Sequence, residues 1–229
     1  MKKLLIYTLC LTALIVVFVG CKQNTPQSNG QQNSQQQTEN QGQNQSSTEA
    51  EKAVSDFLND LKHENYASAK KYYKENLDNM ADFHNQIESI SPTVTNKLFS
   101  KLTDFTYTIE GSSISPDDSS KATVYVSMEY YDVGKAFETT MLEYIKNEIT
   151  MTYDGKNDDD IEKKADEIII EDIESSQKTS AQHIPVSLSF EKDSWKIEKM
   201  SSNPELLNIL SGNILETINT LISKLNEND

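Results

Sequence analysis

Apolar residues recur every three or four positions from Ala50 onward, which is the spacing of an amphipathic helix with one buried face. The residues on this face are Ala50, Ala53, Val54, Phe57, Leu58 and Leu61. Thr48 and Glu51 have the T-x-x-E spacing of a capping box, so we expect the helix to begin at Thr48. The same spacing predicts three further helices: residues 66–77, a weaker segment over 80–90, and a short one containing Leu98, Phe99 and Leu102.

The period then changes to two, which is typical of half-buried strands. Two strands are predicted here, one with Phe105, Tyr107 and Ile109, the other with Ala122, Val124, Val126, Met128 and Tyr130. The polar cluster from Ser115 to Asp118 between them predicts a turn and hence a hairpin. A second pair has Ile184, Val186, Leu188 and Phe190 before a Glu191-Lys192-Asp193 turn, and Trp195 and Ile197 after it.

Two helices are predicted between the strand pairs, and one more near the end of the sequence. The inserted pair has the stripes Phe137, Met141, Tyr144, Ile145, Ile149 and Ile161, Ala165, Ile168, Ile169, Ile173. The last helix is predicted to start near Pro204, a favoured first-turn residue, and to be buried on the domain itself. Its apolar arc is wide, because Leu206, Ile209 and Leu215 lie beside the main stripe. The pattern predicts one α+β domain over 49–229, with N-terminal helices on a four-stranded antiparallel sheet.

The first twenty residues have the pattern of a secretory signal peptide. Lys2 and Lys3 precede an apolar run from Leu4 to Val19, and Gly20 gives a small residue at the cleavage point. The run is shorter than the roughly 20 residues that a membrane-spanning helix needs. We therefore predict that residues 1–20 direct secretion.

The segment Phe18-Val19-Gly20-Cys21 resembles a bacterial lipobox. The resemblance implies cleavage before Cys21 and attachment of diacylglycerol, with palmitate as a typical acyl chain, to that cysteine. Two acyl chains hold a protein stably at a bilayer. The expected location is the extracytoplasmic face of the cell membrane. The alternative is a plain signal peptide with an incidental cysteine, and Phe18 departs from the branched aliphatic residue that is commoner there.

Residues 22–47 are rich in Gln, Asn and Ser and contain no aliphatic or aromatic residue. Such a segment cannot bury enough apolar surface to offset its ordering entropy, so residues 21–48 are predicted to be a lipidated cysteine and a disordered tether. A flexible coil of this length spans roughly 30 Å, and about 90 Å when fully stretched. A spacer between membrane and domain is therefore expected.

Composition narrows the classes of partner. From Glu49 onward the sequence has 18 lysines and 35 acidic residues, a net charge of 18 − 35 = −17. Such a domain repels nucleic acid and anionic headgroups, so no nucleic-acid partner is expected. Attraction of cations or of a basic partner is the functional alternative to plain solubility. Cys10 and Cys21 are the only cysteines, so no disulfide or cysteine nucleophile is expected in the domain.

Catalytic and metal-binding signatures are not found in the sequence. His63, His84 and His183 are widely separated, and each is expected at the surface or at a helix end. The acidic loop from Asp154 to Asp160 fails as a calcium loop, because Gly155 at position six places threonines at positions one and three. Cys21 is thus the only site residue predicted, with no catalytic, cofactor-binding or metal-binding residues.

Tyr125 and Tyr131 share one face of a predicted strand with Thr123, Ser127 and Glu129. On the inner side of a curved sheet, this face forms a polar-aromatic pocket suited to small molecules or glycans. Alternatively, Val124, Val126 and Met128 face the core and both tyrosines lie outside. The apolar alternation favours the second arrangement.

Two segments resemble a family of Gram-positive lipoproteins with a domain of unknown function, similar to nuclear-transport-factor-2-like or cystatin-like folds. They are Ala53–Leu58 with Asn65–Tyr73, and Val186–Ile197. The resemblance implies lipid anchoring and a curved sheet on helices, but no reaction. We expect a non-catalytic binding module that recognises an envelope protein, a wall fragment or a small ligand. The alternatives are an envelope enzyme with a carboxylate or histidine site in the sheet cavity, and a structural partner of an envelope complex.

Overall fold

The computed structural model describes residues 40–75, 77, 85, 88, 89, 91–138, 150, 151, 154, 155 and 157–226. Outside these ranges lie the predicted signal peptide, Cys21, most of the predicted tether, most of the helix predicted over 80–90, and His84. Within them, no helix is both long enough and apolar enough to cross a membrane.

Helix α1 spans Asn40–Lys62, so the predicted start at Thr48 is wrong. The first part of the helix belongs to the segment predicted as a disordered tether. Burial of Ala50 and the following apolar stripe fixes the helix on the sheet, and elongating an existing helix costs little. The Ser47 carbonyl also accepts a hydrogen bond from the Ser112 hydroxyl of the sheet at 3.3 Å.

The second predicted helix is shorter than its pattern indicates. Helix α2 spans Tyr66–Ala69 and continues as a 3₁₀ turn over Lys70–Tyr72. Tyr73 then becomes extended and forms a parallel bridge with Ile197 at the edge of the sheet. The prediction failed here because a helical pattern does not reveal that an open sheet edge is available for pairing.

Helix α3 spans Pro92–Thr103 and helix α4 spans Asp158–Ser175, and both confirm predicted helices. Ser91 and Asn157 cap them through side-chain oxygens, as N-cap residues usually do. The predicted stripe of α4 is buried throughout: Ile161, Ala165, Ile168, Ile169 and Ile173. Of the first inserted helix, residues 133–138 are helical, and the rest of its stripe lies outside the described ranges.

The four predicted strands form one antiparallel sheet in the order β1-β2-β3-β4, which confirms the α+β class. The strands are β1 Thr106–Ile114, β2 Lys121–Tyr131, β3 Lys178–Glu191 and β4 Ser194–Ile197. Lys192 and Asp193 form the two-residue turn of the second hairpin, with φ values of 51° and 62°. Strand β3 begins before the predicted apolar run, because its first residues pair with the end of β2.

One face of the sheet carries the core. Ala122, Val124, Val126, Met128 and Tyr130 are buried, as the alternation predicted. Their cross-strand neighbours Ile184, Val186 and Leu188 on β3 are buried on the same face, and α1 packs against β1, β2 and β4. Phe190 is the last apolar residue of the alternation in β3, and it is 39% exposed. Its ring lies edge-on to the buried ring of Trp195.

The predicted C-terminal helix is two helices, α5 over Pro204–Leu210 and α6 over Ile214–Asn226. Gly212 and Asn213 between them adopt positive φ values of 58° and 61°. The break lets the Gly212 carbonyl accept a hydrogen bond from the Gly134 amide at 2.7 Å. Leu206, Ile209 and Leu215 are all buried, which confirms that the wide apolar arc packs on the domain itself.

Candidate functional site

The sheet face opposite the core is polar. Cross-strand pairs place hydroxyl side chains from three strands on it: Thr108, Ser113, Thr123, Ser127 and Ser180. Each of these residues is half-buried or exposed. We call this surface the open face.

Two β-bulges lie at the same level of the sheet. The β1–β2 register shifts between Ile109 and Gly111, which leaves Glu110 without a partner in the ladder. The β2–β3 register shifts beside Ser127, which leaves Gln182 and His183 without partners. Bulges re-aim side chains, and here they direct Glu110 and His183 towards each other across β2.

Four side chains meet at the bulges: Glu110, Tyr125, Ser127 and His183, which we call the open-face cluster. Glu110 Oε2 lies 3.0 Å from His183 Nδ1, and Glu110 Oε1 accepts the His183 backbone N–H at 3.3 Å. The Ser127 hydroxyl donates to the same Oε1. The His183 imidazole stacks on the Tyr125 ring at 4.2 Å between centroids.

The electrostatics of the cluster fix the state of the carboxylate. The Ser127 hydroxyl, followed by the contact with His183, lowers the pKa of Glu110 below its ordinary value. An ionised carboxylate only accepts hydrogen bonds, so we assign the proton of His183 that faces it to Nδ1. The side chain of His183 is 70% exposed, and no described residue hydrogen-bonds its Nε2. The cluster therefore presents one oriented imidazole nitrogen to solvent.

His183 holds this position in a strained backbone conformation. Its φ is 59°, the left-handed region that costs an L-residue with a Cβ roughly 1–2 kcal/mol. The two contacts with Glu110 and the stack on Tyr125 stabilise it there. Strain of this kind in an ordered, exposed position is an observation from which a functional hypothesis can start.

The cluster is not a chelating site. Across the part of the chain that the structure describes, no three His, Cys, Asp or Glu side chains are grouped to hold a metal ion. Both carboxylate oxygens of Glu110 already accept hydrogen bonds within the cluster. What remains available to a ligand is the His183 nitrogen, the aromatic stack and the surrounding hydroxyl groups.

The residues singled out from the sequence are dispersed. Tyr125 and Tyr131 lie off the core face, as the favoured arrangement predicted, but Tyr131 packs under Lys101, 3.9 Å from its ring centroid. His63 is exposed, and its Nδ1 lies 2.7 Å from the Asn59 carbonyl oxygen. Asp154 and Gly155 lie in a turn. Cys21 lies outside the described residues.

The pairing of Glu110 with His183 was missed by sequence reasoning. The two residues are 73 positions apart, and neither stands in a recognisable motif. The available signals were local ones: Gly111 within a strand pattern, and the loss of alternation at Gln182-His183. Both are typical of bulges, but they do not say which bulges share a level.

Comparison with known proteins gives no match: no protein-family model, curated protein or solved structure is similar to this chain. A functional proposal has to start from the sequence and the geometry of the open face.

Proposed function

We propose that this chain is a membrane-anchored extracytoplasmic lipoprotein whose domain is a non-catalytic binding module, and that its open face binds a neutral, hydroxyl-rich envelope glycan. The observation that carries the binding role is the strained, exposed His183 held on Tyr125 and Glu110. The anchor is proposed from the signal peptide and Cys21.

The direction of α1 supports a defined orientation of the domain relative to the anchor. Ser112 hydrogen-bonds Glu51 at 2.6 Å, whereas Tyr107 bonds the Ser55 carbonyl at 2.9 Å, so α1 runs antiparallel to β1. Its N-terminus therefore lies at the sheet end with the 115–120 loop. The 18 residues between Cys21 and Asn40 reach at most about 60 Å, which keeps the domain near the bilayer.

The chemistry of the open face favours a neutral glycan. Each threonine or serine hydroxyl offers one donor and two acceptors, which suits a ligand that is itself rich in hydroxyl groups. The Tyr125–His183 stack adds an aromatic element of the kind found in ligand-binding sites. The net charge of −17 from Glu49 onward opposes anionic polymers through long-range repulsion, which leaves neutral polymers as the compatible class.

The test of the binding role uses the full-length protein in detergent and insoluble wall glycan stripped of anionic polymers. We expect co-sedimentation of the wild type, and its loss in His183→Asn, because asparagine tolerates positive φ but cannot stack as imidazole does. His63→Asn is the matched control and should bind like the wild type. Binding by His183→Asn equal to that of the wild type would overturn the role of the cluster, and capture of an envelope protein instead of glycan would overturn the ligand class.

The anchor has a separate test, so the two parts of the proposal fail independently. Cys21→Ala should abolish labelling by radioactive palmitate and release the protein from membranes or leave it as precursor. Unchanged labelling, or an unmodified amino terminus in the mature form by mass spectrometry, would contradict lipidation.

A second candidate function is an enzyme that uses the Glu110–His183 pair. A carboxylate 3.0 Å from Nδ1 orients the imidazole as in general-base catalysis. However, the Ser127 hydroxyl donates to Glu110 rather than to His183, and Nε2 faces water instead of an enclosed site. Turnover of soluble glycan fragments, measured by mass spectrometry and abolished in Glu110→Gln, would favour the enzyme.

A further inference from the structure

The open face continues beyond the open-face cluster in both directions along β2. On one side of the cluster, Ser180 lies beside Glu129. On the other side, Ser113 lies beside Thr123. The three hydroxyl side chains are exposed or half-buried, and none of them hydrogen-bonds a described residue. The face therefore offers unpaired hydroxyl groups on both sides of the cluster.

Lysine side chains that already have partners mark the two ends of this surface. Lys121, two positions before Thr123, pairs with Glu198 at 2.7 Å. At the other end of β2, the ammonium groups of Lys101 and Lys178 lie 3.9 and 5.2 Å from the ring centroid of Tyr131. Between these engaged side chains, the open-face positions of β2 are 123, 125, 127 and 129.

The spacing of these positions sets the length of ligand that the surface holds. Alternate residues of a strand are roughly 6.7 Å apart, so Thr123 and Glu129 are separated by about 20 Å along β2. One step of this kind is slightly longer than one hexose unit of a linear glycan, so the surface matches about four units. A ligand lying across the three strands would instead meet a single cross-strand row, roughly 10 Å wide.

The charges of the surface suit a ligand that carries none. Among its described residues between these two ends, none is a lysine, so an anionic ligand has no ammonium group to pair with. The carboxylates of Glu110 and Glu129 repel such a ligand, and a carboxylate accepts hydrogen bonds from sugar hydroxyls. The surface therefore matches a neutral glycan in hydrogen-bonding capacity as well as in length.

We propose that the open face binds a linear glycan lengthwise along β2, over about four sugar units, rather than a single sugar. A central unit stacks on the exposed side of the His183 imidazole, whose other side lies on Tyr125. The outer units hydrogen-bond Thr123 at one end, and Ser180 and Glu129 at the other. The hydroxyl groups at the two ends thus select for the length of the ligand.

This inference rests on the proposed function, to which it adds the direction and the length of the ligand. The direction follows from the placement of the groups along the strand. The aromatic stack lies in the middle of the surface and unpaired hydroxyl groups lie on both sides of it, so only a lengthwise ligand reaches all of them.

The test is calorimetric titration of the full-length protein in detergent with N-acetylglucosamine and its β-1,4-linked oligomers of two, four and six units, which are neutral and soluble. We expect four units to bind about tenfold or more tightly than two units, because four units reach both ends of the surface. Six units should bind within about threefold of four units, because the additional units extend beyond the surface.

Failure of this inference is distinguishable from failure of the proposed function. If the wild type does not co-sediment with wall glycan, the proposed function fails and this inference fails with it. If the wild type co-sediments, two results overturn the lengthwise site alone. One is no heat with the four-unit oligomer at about 10 mM, and the other is equal affinity for one and four units.

Variants locate the two ends of the ligand. Thr123→Val and Ser180→Ala each remove one hydroxyl group, and each should weaken binding of the four-unit oligomer about two- to tenfold. Thr93→Val, at an exposed position in the first turn of α3, is the control and should bind like the wild type. Full binding by both end variants, or a loss confined to Thr108→Val in the middle of the surface, would overturn the lengthwise arrangement.

Discussion

The imidazole of His183 lies almost flat on the ring of Tyr125, with the two planes inclined by 10°. The residues come from neighbouring strands, and the stack forms because a bulge turns His183 into positive φ. Glu110 lies on β1, on the other side of β2, and holds the imidazole through its carboxylate. The most exposed group of the cluster is therefore also the one whose backbone is most constrained.

Replacement of His183 separates the effect of its backbone strain on stability from the effect of its side-chain contacts. His183→Ala loses the side-chain contacts and keeps the strain, whereas His183→Gly loses both, so we expect the glycine variant to be more stable by about 1 kcal/mol. Urea unfolding measures the difference. At exposed Ser180, which pairs regularly with Glu129, the order should be reversed, because glycine weakens an ordinary strand position.

Gly212 lies where an added side chain has no room. A Cβ at this position would be 2.9 Å from Leu102 Cδ2 and 3.0 Å from the Tyr131 carbonyl oxygen, in addition to the strain of φ 58°. We expect Gly212→Ala to reduce the free energy of unfolding by about 2–4 kcal/mol. Gly155→Ala is the control, since φ is 70° but nothing lies within 4 Å, and its cost should be about 1–2 kcal/mol. Equal losses would contradict the close approach at Gly212.

The Tyr73 hydroxyl links the covered sheet edge to the segment after β4. It accepts the buried Met200 amide at 3.0 Å and donates to Glu75 at 3.3 Å. Tyr73→Phe leaves that amide unpaired, and we expect a loss of about 1–3 kcal/mol in thermal or urea unfolding. Tyr66→Phe removes a hydroxyl without a hydrogen bond to any described residue and should change stability by less than about 0.5 kcal/mol.

Alkaline titration should show Tyr66 and Tyr73 ionising late. Burial raises the pKa of Tyr66 and of Tyr73 to about 12. Because the folded pKa is above the unfolded value of about 10, the stability that these groups contribute is complete below pH 10 and is lost as the pH rises towards 12. Ultraviolet difference absorbance follows their ionisation. Ionisation of every tyrosine near pH 10 in the folded protein would contradict the burial.

Protonation of Glu110 at acid pH should weaken the contacts of the open-face cluster. Its pKa is lowered, so its contribution to stability is present above the ordinary glutamate value and is lost as the pH falls through the lowered one. Ser127→Ala removes the hydrogen bond that contributes most to lowering the pKa of Glu110. This pKa should therefore rise, which a carboxylate NMR titration measures. Asp118, whose pKa is lowered by Ser120, is the internal reference and should not change.

Local patterns predicted the elements better than their ends. Alternation along β2 identified the core face correctly, because a strand that is buried on one side must alternate. The predicted start of α1 and the predicted single helix through Gly212 were wrong, because a helix extends or stops according to what its backbone meets in the fold. The candidate site was missed for the same reason, since Glu110 and His183 are neighbours only after two bulges align.

The sequence by itself determined the order and class of the elements and the apolar faces that form the core. These features follow from periodicity and composition, which are properties of short stretches of sequence. Only the tertiary structure decided which polar residues meet at the open face and where the helices end. Such relationships depend on register and on close approach between distant segments, and a single residue of register moves every side chain to the other face of a sheet.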